Sequence, residues 1–168
     1  MQPPVSPKSI EDSVALIDHL QAVLGKQLAQ DISKTYFGDI GTYLPEDFKG
    51  PRNSERAILV FQSNDDRLEE GTRTQASEYR ILSLTIVGMV NITTEFKAKP
   101  AEAYGERRLS IVMSKIRKFL TQNENTTLGG RVEHFSVGDL SWATFPRDRL
   151  MLRGAGLDVT ARVRVPRL

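Results

Sequence analysis

From Tyr79 to Phe96 apolar and polar positions alternate along the chain. Leu82, Leu84, Ile86, Val90 and Ile92 fall on one face, with Gly88 continuing the series; Ser83, Thr85, Asn91 and Thr93 fall on the other. Period two with β-branched enrichment predicts a long strand, buried on one side. Gly88 reads as a bulge or bend within it. A shorter apolar run, Ala57–Phe61, predicts a buried strand, and the alternation Leu157–Val165 a final strand with Asp158, Thr160, Arg162 and Arg164 outward. Arg131–Phe135 and Ser141–Phe145 are weaker strand candidates, preceded by a Leu128-Gly129-Gly130 turn.

Two segments carry helical periodicity instead. Ile10, Val14, Ile17, Leu24 and Leu28 share one stripe, widened by Leu16, Leu20 and Val23, and predict a helix reaching about Ser33. Its start is marked by Ser6 before Pro7, or by Ser9 with Asp12 as a capping box. Gly25 reads as a kink or end. Pro100 opens a second helix running to Thr121, with Leu109, Val112, Met113, Ile116 and Leu120 as its apolar stripe.

Between these elements, residues 1–8 read as an extended Pro-rich arm and residues 34–56 as loop, with Tyr43 and Phe48 anchoring it to the core. Residues 62–76 form a long polar loop, a length that usually carries function. The order helix, strands, helix, strands predicts one α+β domain over 1–168, a mostly antiparallel twisted sheet with two helices packed on one face.

Composition adds boundaries. At 168 residues the chain buries enough surface to fold without staples. It has no cysteine, which removes disulfides, thiolate metal sites and a cysteine nucleophile, and fits a reducing compartment. No apolar run approaches the ~18 residues of a membrane span, and Met1–Pro7 lacks the pattern of a secretion signal. The expectation is a cytoplasmic product with no membrane partner. Charge changes the picture more. Residues 1–100 hold 11 Lys+Arg against 14 Asp+Glu, and residues 101–168 hold 12 against 7. A molecule with an acidic and a basic side can pair head-to-tail with its own copies.

Candidate chemistry is sparse. His19 and His134 have no second histidine at ligand spacing and read as surface or core-edge residues. Gly154-Ala155-Gly156 lacks the third glycine and the following helix of a dinucleotide site. Asp65, Asp66, Glu69 and Glu70 lack a cation-loop spacing and read as a solvated cluster. Neither a metal nor a cofactor is expected. No nucleophile–base pair suggests an enzyme. Arg107, Arg108, Lys115, Arg117 and Lys118 crowd the second helix; with no aromatics among them, they read as a solvated or subunit-facing surface rather than a nucleic-acid site.

The layout resembles the tail terminator (tail completion) proteins of tailed bacteriophages. The matching parts are the helix Ser9–Leu28, the strand Ala57–Phe61, the long loop, the strand Arg80–Thr93, the helix Ala101–Gln122, the Leu128-Gly129-Gly130 turn and the final strand. The resemblance implies a structural virion protein made in the bacterial host cytoplasm and resident at the tail–neck junction. It implies a homo-hexameric ring that caps the tail tube, stops its polymerisation and offers a docking surface to the head. Its partners would be its own copies, the tail tube protein or sheath, and head–tail connector or neck proteins. Genomic DNA would pass through the lumen without sequence-specific binding. The expected contact surfaces are the loop Asn64–Thr74, with Asp65, Asp66, Glu69, Glu70 and Arg73, and the helix face bearing Arg107, Arg108 and Lys115. Alternatives are another neck or connector protein, or a nucleic-acid-binding regulator.

Overall fold

A computed structural model describes residues 9–31, 40–43, 56–62, 67–68, 77–93, 101–122, 125–147 and 149–166. The elements are α1 (Ser13–Asp31), β1 (Ile40–Tyr43), β2 (Arg56–Gln62), β3 (Arg67–Leu68), β4 (Ser77–Asn91), α2 (Ala101–Thr121), β5 (His134–Arg147) and β6 (Leu150–Pro166). The strands form one sheet in the order β1-β2-β4-β6-β5, with β3 also paired to β4. All pairings are antiparallel except β1 with β2. The protein is α+β, as the order of elements predicts.

Both helices cover one face. Leu82, Leu84, Ile86 and Val90 of β4 and Ile92 just after it are wholly buried, and they share a core with Leu157, Val159, Ala161 and Val163 of β6. Leu16, Leu20 and Leu24 of α1 cap one half of this layer, and Leu109, Val112, Met113, Ile116 and Leu120 of α2 the other. The opposite face is polar across its middle. There Thr85 Oγ1 donates to Asp158 Oδ1 at 2.9 Å, the Ser136 and Thr160 hydroxyls meet at 2.6 Å, and the Arg162 guanidinium lies 3.8 Å from the centre of the Tyr79 ring.

The structure corrects several expectations. Gly88 is neither bulge nor bend: the register runs through it without a shift, opposite Ile58 and Ala155. A Cβ there would sit 2.7 Å from Met113 Sδ and 3.3 Å from Leu109 Cδ2, so the glycine lets α2 lie close on the sheet. Gly25 does not end α1, which continues to Asp31. A single glycine costs about 1 kcal/mol of helix propensity, and burial of Leu20 and Leu24 outweighs it.

The first helix also starts later and in another phase. Asp12 is its cap, with Oδ1 accepting from Ala15 N at 2.8 Å. Helical phase counted from that cap buries Ser13, Leu16, Leu20 and Leu24 and turns Val14 outward, 69% exposed. Ile10 is buried but precedes the helix, its amide donating to the Arg131 carbonyl at 3.0 Å.

Within residues 34–56 lies a strand, β1, where loop was expected. The polar segment 62–76 is likewise not continuous loop: Gln62 ends β2, and Arg67–Leu68 pair with Ile81 and Arg80. Short polar strands of this kind are specified by their pairing with β4 rather than by their own composition. The second weak strand candidate and the last two residues of the first, His134 and Phe135, belong to one strand, β5, joined through a bulge at Gly138 and Asp139, while Arg131–Glu133 are not strand. Arg117 of α2 holds that bulge, with Nε donating to the Gly138 carbonyl at 3.3 Å and Nη2 lying 3.6 Å from Asp139 Oδ1. The expected turn is present, with Leu128, Gly129 and Gly130 all at positive φ (47°, 71° and 85°). The Thr127 carbonyl accepts from the amides of Gly130, Arg131 and Val132. The extended arm at 1–8 and Phe48 lie outside the described residues.

Candidate interaction surfaces

The outward side of α2 is cationic. The residues opposite its buried stripe are Arg107, Ile111, Ser114, Lys115 and Lys118, and all are exposed. Arg107, Ile111, Lys115 and Lys118 follow spacings of four, four and three, so they form one ridge along the helix. No carboxylate lies between Glu106 and Gln122. Ile111 interrupts the cations with an apolar side chain 36% exposed. Arg108 lies in the same helix.

The outward side of α1 is acidic only in its first half. Val14, Asp18, Ala22 and Lys26 recur every fourth residue and are exposed, so the ridge ends on a cation, and Glu11 is exposed just ahead of the cap. Val14 and Ile111 are the large apolar side chains left exposed among the described residues. Each sits on the outer ridge of one helix. Reading the sequence placed Val14 in the core. Ile111 was not singled out either, although it falls outside the Leu109–Leu120 stripe and between Arg107 and Lys115.

Where α2 meets β6, a buried cation is built into the core face. Arg153 projects toward α2 from beside Ala155, pairs with Glu106, and donates from Nη1 to Thr144 Oγ1 at 2.8 Å. Its guanidinium lies 5.5 Å from the Trp142 ring centre. Gly105 makes room for it: a Cβ at that position would sit 2.7 Å from Arg153 Cβ. With a carboxylate, a hydroxyl and an aromatic face around it, this arginine fixes the start of α2 over the sheet, although its buried Nε has no hydrogen-bond partner.

His19 is half-buried on α1. Burial, and then the charge of Arg131, hold its pKa below the usual imidazole value. Near Arg131 a cavity of about 240 Å³ is lined by Ser9, Thr127, Glu133 and Arg164 among others. It is the seam where the segment before α1 closes on the Leu128–Gly130 turn. Gly154-Ala155-Gly156 lies in mid-strand, where Gly156 brings β6 within 3.3 Å of Ser141 Oγ from the place of its absent Cβ.

Of the residues expected to form contact surfaces, Arg107 and Lys115 are exposed on the α2 ridge. Asp65, Asp66, Glu69, Glu70 and Arg73 lie outside the described residues; the first pair directly precedes β3 and the second directly follows it in sequence. Among the described residues no group of three His, Asp or Glu is placed to hold a metal ion, and no helix is long and apolar enough to cross a membrane. Comparison of the sequence with protein-family models and with characterised proteins gives no match.

Proposed function

We propose that this protein is a structural virion component, a tail terminator whose copies form a ring on the end of the tail tube. In this role the ring stops tube polymerisation and presents a docking surface to head–tail connector proteins. The observation that carries the reading is the charge separation between the first half of the outer side of α1, with Asp18, and the outer side of α2, with Arg107, Lys115 and Lys118, on one sheet face. Surfaces of opposite sign on one chain suit repeated contact between identical copies. The order of elements, and three strands of 14 residues or more forming a broad base, agree with the same role.

The test is assembly of tails with the protein withheld. The reading predicts tubes of irregular, extended length that do not join heads, restored to one length when the protein is added back. Tubes of normal length without it would overturn the reading.

The α2 ridge also favours a second reading, a nucleic-acid-binding protein. Duplex binding with a steep salt dependence, lost when Arg107, Arg108 and Lys115 are replaced, would favour that alternative.

A further inference from the structure

We propose that the outer ridge of α1 in one copy docks on the outer ridge of α2 in a second copy, with Val14 against Ile111 at the centre and the flanking charges paired. The proposal rests on the self-assembly part of the function above and names its contact surface.

Three observations converge. The two exposed large apolar side chains of the described residues lie one on each ridge. An apolar centre with a charged surround is the usual anatomy of a protein interface. The surrounds are opposite in sign: Glu11 and Asp18 beside Val14, Arg107 and Lys115 beside Ile111. Two cationic α2 ridges would repel, so charge selects the acidic first half of α1 on α2 over α2 on α2.

The spacings also match. Val14 is four residues from Asp18, and Ile111 four from both Arg107 and Lys115. At ~1.5 Å rise per residue, each apolar side chain stands about 6 Å along its helix from its charged neighbours. Ala22, further along the α1 ridge, is small enough to admit a long cationic side chain. The sides of the two helices facing the sheet are filled by the core, so the outer ridges are what the pair has left to offer. Nothing in this arrangement needs a ligand.

A contact between two different patches on one molecule passes from copy to copy until it closes. Two variants read it directly. Val14→Gln with Asp18→Asn disables the α1 ridge, and Ile111→Gln with Lys115→Gln disables the α2 ridge. Mass in solution is measured for the intact full-length chain and for each variant over a range of concentrations, with circular dichroism verifying the fold. The intact chain is expected to assemble. Each variant alone should associate about tenfold more weakly or worse. An equimolar mixture should form a one-to-one heterodimer and nothing larger, because one intact ridge of each kind remains.

Variants that assemble like the intact chain would overturn the contact and leave the proposed function standing. A mixture no more associated than either variant would overturn it too, as would an intact chain that stays monomeric. An intact chain that stops at a dimer, with the mixture behaving as expected, keeps the contact and overturns the ring.

Discussion

The two helices cover the same sheet face with similar leucine-rich stripes, yet they are held there differently. α1 lies over β1, β2 and β4 and is seated by Leu16, Leu20 and Leu24, with Ile17 packed beside them. α2 lies over β4, β6 and β5 and is drawn in by two glycines, Gly88 beneath Met113 and Gly105 above Arg153. It is then pinned by the Arg153–Glu106 pair at one end and by Arg117 on the β5 bulge toward the other. The lesson is a division of labour within each helix. The inner sides fix the fold, with α2 the more tightly specified, while the outer sides, which the fold does not need, differ in charge: acidic over the first half of α1 and cationic along α2.

The largest effects should come from the inner stripes. Leu20→Ala and Ile116→Ala each remove a buried side chain and should cost about 2–5 kcal/mol. The α2 substitution should lie nearer the upper end, because a helix fixed at both ends collapses less onto a cavity. Denaturant midpoints measure this, and equal losses would break the comparison. Next in size is Gly105→Val, which forces a side chain against Arg153 and Ile92 and should cost about 1–3 kcal/mol. Gly25→Ala in α1, where a Cβ meets nothing within 4 Å, should instead stabilise slightly, by about 0.5–1 kcal/mol. The contrast between these two glycines, read by thermal unfolding, sharpens the claim that α2 alone depends on close approach.

A smaller loss, about 1 kcal/mol, is expected for Asp12→Ala, which removes the α1 cap. It sets the start of one helix and should leave α2 untouched, so amide exchange should rise in the first turn of α1 and not in α2. Smallest is the pH effect of His19. Its folded-state pKa is lowered, so the unfolded chain takes up a proton more readily than the folded one. The stability it contributes is fully present above the ordinary value near 6.5 and is lost as pH falls through the lowered folded value. His19→Gln should flatten that decline between neutral and mildly acidic pH.

Much of this fold was legible in the pattern of residues. The β4 alternation and the α2 stripe were read correctly because each is long and each has one dry face. The phase of α1 was not, because Ile10 fits a helical spacing to Val14 and Ile17 while standing outside the helix. The position of the cap decided the phase, and Asp12 and Ser9 are both good capping residues. β5 looked like two strands because Gly138 and Asp139 interrupt its alternation, and a bulge has no signature separate from a turn. β1 and β3 are specified by their neighbours. Of the interaction surface, the basic ridge was visible from spacing alone. Its acidic counterpart on α1 was hidden by the error over Val14.

The central claim is that copies of this chain meet α1 to α2. Because the sequence has no cysteine, disulfide trapping tests it cleanly. A Val14→Cys chain and an Ile111→Cys chain, one lengthened by a tag, are mixed and oxidised under mild conditions. The account predicts that the mixed-length dimer forms well ahead of either same-length dimer. Same-length dimers in equal or greater yield would contradict it.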